Sequence, residues 1–187
     1  MAYLTRETLG DMGFKALGEN VKVSDKASIY NPEMIEIGDY SRIDDFCVLS
    51  GRIIIGQYVH VAPFCLIAGG ETGITMDDFS GLAYSVQVFS QSDDYSGRTL
   101  TNPTVSDKYK NERKAAVRIG RHVIIGASSI VFPGVDLADG CSVGAMTLVN
   151  KSTQPWGIYA GNPARRIKER KKDLLDLEAK FLKEQLE

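Results

Sequence analysis

The chain has few of the residues that build metal sites and disulfides. Its 187 residues include only two histidines and three cysteines. Cys47, Cys65 and Cys141 are odd in number and show no CxxC spacing, so neither a disulfide framework nor a structural zinc site is expected. We expect the three cysteines to be small core residues rather than catalytic thiols.

Long apolar runs and an excess of one charge are also missing. No apolar stretch is long enough to span a bilayer, and the N-terminus MAYLTRETLGDMGF lacks the basic start and continuous apolar core of a signal peptide. The formal charge of −2 gives no reason to expect binding to nucleic acid or to an anionic membrane. These absences predict a cytoplasmic protein without membrane insertion, and the length suits a single domain.

What the sequence has in abundance is an aliphatic anchor at every sixth position. The anchors form three runs, which are Ile37, Ile43, Leu49, Ile55, Val61 and Ile67; Met76, Leu82 and Val88; and Ile119, Ile125, Val131, Leu137, Val143 and Val149. Neither an α-helix nor a half-buried strand has a period of six. Short strands joined by tight turns, each placing one aliphatic residue inward, stack into a parallel β-helix.

A small residue or aspartate often follows the anchor, and a small or β-branched residue comes four positions after it. Over about residues 23–170 this pattern resembles the hexapeptide-repeat acyltransferases, including galactoside and maltose O-acetyltransferases and sugar acetyltransferases of surface polysaccharides. The resemblance implies an all-β, left-handed parallel β-helix that assembles as a homotrimer and uses acetyl-CoA as co-substrate.

The repeat is interrupted twice. After Ile67 the glycine-rich run AGGETGI slips the register, which predicts a small loop. Between Val88 and Ile119 the period vanishes for a long polar stretch with aromatic and mixed-charge content. A long excursion from a compact solenoid is usually functional or disordered, and we predict an ordered arm over 90–117.

The two ends of the chain predict helices. Residues 5–17 open with a possible Thr5 cap and carry spaced apolar residues, so a short helix should cover the first coil within an N-terminal cap of residues 1–20. The tail 171–187 places leucines and a phenylalanine near one face of a helix. The β-helix is expected between them, over 21–170.

Basic residues follow the last repeats in the segment KSTQPWGIYAGNPARRIKER. It is similar to the family's exit sequence, an Ala-Gly-x-Pro-Ala turn followed by basic residues. The resemblance implies coenzyme A binding, with Ala127 and Ala145 at the pantetheine arm and Lys151, Arg165 and Lys168 near the phosphates. Lysine and arginine supply charge-assisted hydrogen bonds to phosphates. On composition alone, these basic residues could equally be the solvent-exposed start of the tail helix.

The catalytic base has several candidates. The resemblance implies a histidine where the coils give way to the arm, but the segment SDDY puts Asp93 there. His60 lies on the coil before the arm and His122 in the half matched to coenzyme A, and both are predicted to point outward. Acyl transfer to a hydroxyl needs a base, so His60, Asp93 and Asp94 are the candidates, with one aspartate orienting His60. Alternatively, Asp93 and Asp94 are ordinary turn residues without a catalytic role, because aspartates are common in turns.

Three further residues are candidates for binding the acceptor. Asp44 aligns with a polar acceptor-binding residue of the sugar acetyltransferases, and Tyr84 and Tyr95 are suited to supporting a sugar or nucleotide ring. The sequence leaves open whether the acceptor is a hydroxyl or an amine. An amine is already nucleophilic, so a weaker base would suffice for it.

The predicted function is an acetyl-CoA-dependent acetyltransferase acting on a hydroxyl or amino group of a sugar or nucleotide-linked sugar, in the biosynthesis of a surface polysaccharide such as lipopolysaccharide O-antigen. Direct attack without an acyl-enzyme is expected, because the cysteines occupy core positions. The β-helical carbonic anhydrases need three histidines on zinc, which the chain does not have. A non-catalytic scaffold is the other alternative, but it does not explain the arm, the AGNPA turn and the basic cluster together.

Overall fold

The computed structural model describes residues 2–185 and is dominated by one stack of coils. Strands at the same place in successive coils pair in parallel, so the prediction of a parallel β-helix is confirmed. In chain order the strands are β1 (Ala16–Leu17), β2 (Lys22–Val23), β3 (Ser28–Tyr30), β4 (Ile35–Ile37), β5 (Arg42–Ile43), β6 (Val48–Ile55), β7 (His60–Val61), β8 (Leu66–Met76), β9 (Gly81–Leu82), β10 (Gln87–Phe89), β11 (Gln91–Ser92), β12 (Arg113–Lys114), β13 (Val117–Ile119), β14 (Ile124–Ile125), β15 (Ile130–Val131), β16 (Asp136–Leu137), β17 (Ser142–Val143), β18 (Leu148–Val149), β19 (Gly157–Ala160) and β20 (Arg165–Glu169).

The strands form three faces. Face 1 holds β2, β5, β7, β9, β14, β17, β19 and the antiparallel β20. Face 2 holds β3, β10, β15, β18 and the first halves of β6 and β8, and face 3 holds β1, β4, β13, β16 and their second halves. We call the border between faces 1 and 2 edge A, and the border between faces 2 and 3 edge B.

The core is the stack of aliphatic anchors inside the coils. Every anchor of the six-residue repeat is at most 4% exposed, and neighbouring coils stack them in register, as for Ile43, Val61 and Leu82. Burying one such side chain contributes roughly 1.5–3 kcal/mol. The three cysteines lie in the same interior and are at most 1% exposed, which confirms their assignment to the core.

The glycine-rich run after Ile67 is not the small loop that the sequence predicts. It lies inside the long strand β8, which continues around edge B from face 2 to face 3 beside β6. Gly51 and Gly70 adopt positive φ values of 74° and 49°, a conformation that glycine takes without strain. A Cβ atom on Gly51 would lie 2.5 Å from the backbone nitrogen of Gly70. The glycines therefore let two strands turn a corner while remaining paired.

The helices are shorter than predicted. Helix α1 spans Arg6–Asp11, and the hydroxyl of Thr5 accepts a hydrogen bond from the backbone N–H of Thr8, as expected of a cap. The chain already pairs as β1 at Ala16, which ends the predicted 5–17 helix early. Helix α2 spans Leu174–Glu184, and the last two residues of the predicted tail helix lie outside the described residues. Within residues 2–185, no helix is long and apolar enough to cross a membrane.

The arm leaves the stack at edge B. It opens and closes with an antiparallel pair, β11 and β12, which joins Gln91 to Lys114 and Ser92 to Arg113. Short 3₁₀ helices lie at Pro32–Met34 and, within the arm, at Asp107–Tyr109.

Candidate functional site

Three residues predicted for substrate or coenzyme binding share one position on edge A. The N–H of Ser128 donates to the carbonyl of Tyr84 at 2.9 Å, and the N–H of Met146 donates to that of Ala127 at 2.8 Å. This ladder places Tyr84, Ala127 and Ala145 directly above one another on successive coils. The Tyr84 ring is 61% exposed, whereas the two alanines offer only a methyl group beside the backbone.

Beside this column runs a strip of small residues, which we call the small-residue strip. Its members follow the register of face 1 and are Ala62, Ala83, Gly126, Gly144 and Ala160. A Cβ atom on Gly126 would lie 2.5 Å from the backbone nitrogen of Ala145, so the coils approach closely here. Ala62 is only 3% exposed, but the other four members are partly exposed and present backbone rather than long side chains, which suits a long, thin ligand lying parallel to the stack.

Basic residues stand at the C-terminal end of the strip. β20 turns back along β19 and sets Arg165 opposite Ala160 and Lys168 opposite Ile158. Lys151 lies elsewhere, because it follows β18 on the way from face 2 to face 3. All three side chains are exposed, and none forms an ion pair within residues 2–185. The structure therefore brings Arg165 and Lys168, but not Lys151, to the strip in one chain.

A buried carboxylate lies at the other end of the strip. Asp44 is 1% exposed and occupies the strip position on the coil before Ala62. Its Oδ2 lies 2.7 Å from Nε2 of His60 and 3.1 Å from Nη2 of Arg42, and its Oδ1 accepts from the Tyr3 hydroxyl at 3.2 Å. Burial, together with the negative charge of Asp44, raises the pKa of Tyr3. The arrangement fixes Asp44 and presents His60 to solvent.

The contacts of His60 define which of its nitrogens is free. Nε2 lies 2.7 Å from Asp44 and 2.8 Å from Nη2 of Arg42, and it cannot donate to the first and accept from the second at once. A carboxylate only accepts hydrogen bonds, so we assign the tautomer in which Nε2 of His60 carries a proton and donates it to Asp44. Nδ1 then keeps its lone pair. An imidazole oriented by a buried carboxylate in this way is suited to act as a general base.

The arm residues lie apart from this pair. Asp94 accepts hydrogen bonds from the Ser96 side chain and backbone, which lower its pKa, and Asp93 accepts one from the backbone N–H of Asn102 at 3.2 Å. Tyr95 is 90% exposed. The arm leaves from edge B, whereas His60 is on face 1. Within one chain, the carboxylate at His60 is therefore Asp44 rather than either arm aspartate.

His122 lies outside its coil, as the repeat predicts, but helix α2 covers it, so its side chain is only 9% exposed. Its ring stacks on Phe79 with centroids 5.4 Å apart, and its Nε2 lies 2.8 Å from Oε2 of Glu178 on helix α2. Burial alone raises the pKa of Glu178, but hydrogen bonds from Arg121 and His122 lower it overall. His122 therefore holds α2 against the stack. The partner lies 56 residues away in sequence, so no local pattern could have revealed it.

Sequence reasoning missed Arg42 and Tyr3, which complete the Asp44 cluster. Arg42 could have been found, because it precedes its anchor Ile43 as His60 precedes Val61, and both therefore fall on the same outward column. Tyr3 precedes the repeat, so no period places it. No group of three or more histidine, cysteine, aspartate or glutamate side chains in the described part of the chain could hold a metal ion.

Comparisons with known proteins agree with this architecture. The family model "Bacterial transferase hexapeptide (six repeats)" matches residues 34–69. The dTDP-4-amino-4,6-dideoxy-D-glucose acyltransferase of Escherichia coli is 44% identical over 184 residues, which cover 97% of this chain and 95% of that protein.

Solved structures show the same fold. AntD, an N-acyltransferase from Bacillus cereus in complex with dTDP and 3-hydroxybutyryl-CoA, has a TM-score of 0.97 and 46% identity over 99% of this chain and 98% of its own. A maltose O-acetyltransferase from Clostridium difficile 630, at 23% identity, shares the fold with a TM-score of 0.57 over 89% of this chain and 75% of its own. The nearly full-length match to the Escherichia coli enzyme shows that the chain belongs to the hexapeptide-repeat acyltransferase family.

Proposed function

We propose that this enzyme transfers an acyl group from coenzyme A to the amino group of a nucleotide-linked amino sugar in the cytoplasm, during the biosynthesis of a surface polysaccharide. The observation that carries the proposal is the small-residue strip, with Arg165 at one end and the Asp44–His60 pair at the other. The Escherichia coli relative is named for a dTDP-linked amino sugar, and a variant of AntD was solved with dTDP-4-amino-4,6-dideoxyglucose and coenzyme A.

The donor half of the site is the C-terminal part of the strip. The pantetheine arm lies along the backbone at Ala127 and Ala145, where no long side chain stands in its way. Arg165 and Lys168 then meet the phosphates, since their exposed cationic groups have no carboxylate partner within the described residues. Acetyl-CoA is the simplest donor. AntD was solved with 3-hydroxybutyryl-CoA, so that thioester is the alternative to compare.

The acceptor half is the Asp44–His60 pair. The sugar amine approaches Nδ1 of His60, which takes a proton from it while the nitrogen attacks the thioester carbonyl. The new C–N bond forms as the C–S bond breaks, and the coenzyme A sulfur leaves and takes up a proton. The three cysteines are too deeply buried to form an acyl-enzyme, so transfer is direct. Tyr84 is exposed on the coil next to that of His60, where its ring can flank the reacting end of the sugar.

The arm requires a second chain to reach such a site. Asp93, Asp94 and Tyr95 leave the stack at edge B, whereas the strip lies at edge A. In a homotrimer, the arm of one subunit can approach the strip of its neighbour and place these residues beside the acceptor. Face 2 supports such an assembly, because its outward side chains include Val48, Leu66, Ile130 and Leu148, which leave it largely apolar.

An acceptor panel tests the proposal. Coenzyme A thiol release is measured with acetyl-CoA or 3-hydroxybutyryl-CoA against dTDP-4-amino-4,6-dideoxyglucose, dTDP-glucose and maltose. We expect turnover with the amino sugar nucleotide alone, because an amine is the better nucleophile. Turnover with the hydroxyl acceptors but not with the amine would show O-acylation instead, and release of no thiol with any pair would favour a scaffold.

A further inference from the structure

On the N-terminal side of His60, the outward side chains of face 1 form a cationic column. The parallel register of β2, β5 and β7 sets Lys22 opposite Arg42 and Arg42 opposite His60. Neighbouring strands are about 4.8 Å apart, so these three groups stand one coil from the next in a straight line. Beyond His60 the same column continues with Gly81, which has no side chain, and then with Ile124.

The charges in this column are not all neutralised. Asp44 binds Arg42 through Nε and Nη2, and Nη1 of Arg42 has no hydrogen-bond partner in the described part of the chain. Lys22 makes no ion pair with any other described residue, and its Nζ lies 5.9 Å from the centroid of the Tyr3 ring. The carboxylate is buried beneath, while both cations face solvent. The surface beside His60 is therefore suited to an anion.

The order of groups along the stack gives that anion a place in the reaction. Arg165 marks the coenzyme end of the small-residue strip, and His60 marks the point where the acceptor amine reacts. The rest of the acceptor must then extend away from the coenzyme, toward Arg42 and Lys22. In a nucleotide-linked sugar with its amine at C4, the diphosphate leaves the ring at the opposite carbon, C1.

We infer that Lys22 and Arg42 bind the diphosphate of the nucleotide-linked acceptor. The inference rests on the proposed function. A guanidinium offers a planar fork that matches phosphate oxygens, and an ammonium adds a second, flexible donor. Asp44 keeps the Arg42 fork oriented, so the same carboxylate positions both the base and the phosphate-binding group. The enzyme then selects diphosphate-linked sugars over free amino sugars.

The test compares Lys22→Ala and Lys22→Glu with the wild type, using Lys15→Ala as the matched control. Lys15 is a similarly exposed lysine, but it pairs with Glu36 on face 3. A hydrogen bond to a charged group contributes about 1.5 kcal/mol or more, which corresponds to about tenfold in affinity. Lys22→Ala should raise the KM for dTDP-4-amino-4,6-dideoxyglucose about tenfold, with kcat and the KM for acetyl-CoA unchanged. Lys22→Glu should raise that KM further.

Binding of dTDP alone, measured by calorimetry, separates this inference from the proposed function. We expect dTDP to bind about tenfold more weakly to Lys22→Ala, while thymidine, which lacks phosphate, binds the two proteins equally. Equal dTDP affinity in the wild type and both Lys22 variants, or the same loss in Lys15→Ala, would overturn the inference. Tight dTDP binding that depends on Lys22 in a protein that acylates no amino sugar would instead refute the proposed function.

Discussion

Replacing His60 should remove most of the turnover without disturbing the donor site. Its side chain is 45% exposed and forms no part of the core, so His60→Ala should fold and keep its thermal stability. A positioned general base contributes about 10²–10⁴-fold to the rate. Because an amine needs less help from a base than a hydroxyl does, we expect the low end of this range, a fall in kcat of about 100-fold, or about 2.7 kcal/mol of transition-state stabilisation. The KM for acetyl-CoA should not change, because Arg165 and Lys168 lie several coils away.

The pairing with Asp44 makes a second variant informative. In Asp44→Asn, the amide can present its N–H₂ group to His60, which favours the tautomer with the lone pair on Nε2 and the proton on Nδ1. The ring nitrogen that faces the acceptor would then be a hydrogen-bond donor instead of a general base. A wrong tautomer of this kind costs up to about 10⁴-fold in the triads where it has been studied. The double variant should be little worse than His60→Ala, because the two residues act as one unit.

The assay is steady-state thiol release with saturating acetyl-CoA and dTDP-4-amino-4,6-dideoxyglucose, together with added imidazole. Free imidazole should partly restore His60→Ala, since it can occupy the solvent-exposed space left by the ring, and it should not restore Asp44→Asn. A small loss in His60→Ala beside a large loss in Asp93→Asn would move the role to the arm of a neighbouring subunit. Nearly normal turnover in both His60→Ala and Asp93→Asn would refute the assignment of the site.

Three further outcomes are expected. The double variant Arg165→Ala/Lys168→Ala should raise the KM for acetyl-CoA with kcat nearly unchanged, because contacts to remote phosphates act alike in the ground and transition states. The control variant Lys180→Ala, on α2, should leave this KM unchanged. An unchanged KM in the double variant would remove both residues from the site. Light scattering should give three times the 20.5 kDa chain mass, and a monomer at micromolar concentration would exclude the trimer. The pKa of Glu178 is lowered in the folded protein from its ordinary value of 4.5. Its contribution to the stability of the folded state is therefore complete above about pH 4.5 and is lost as the pH falls below that value. Fluorescence of Trp156, the single tryptophan, which lies 5.5 Å from Lys172 before α2, should therefore change on acidification, and this change should disappear in Glu178→Gln.

The six-residue period predicts the core because it alone decides which side chains point inward. Ile43, Val61 and Leu82 are buried and in register for that reason, and Cys47 and Cys65 are buried because they occupy the small position of the same repeat. The period cannot describe places where the chain departs from it. The pattern predicts a loop after Ile67, but the positive-φ glycines at edge B allow a continuous strand to turn there.

The site was only partly predictable, because its decisive contacts join residues of different coils. The sequence predicts that Asp44 binds the acceptor, and the structure adds that its carboxylate holds His60. That contact follows from two adjacent outward columns of face 1 and from the stacking of two coils. The hydrogen bond between Glu178 and His122 depends on how α2 folds back over the stack, which the repeat does not encode.

The stack of coils also explains how two large substrates would meet at one point in the proposed site. Each half of the site is a straight column, because parallel strands in register place equivalent side chains directly above one another. In the proposed site, the donor half runs from Arg165 along Gly144 and Gly126, and the acceptor half runs from Lys22 through Arg42 to His60. The coil of His60 pairs directly with that of Gly81 and Ala83, so the two halves adjoin with a spacing of about 4.8 Å. In the proposed site, the fixed pitch of the fold therefore aligns the amine with the thioester, while side chains select the two ligands and His60 accepts the proton.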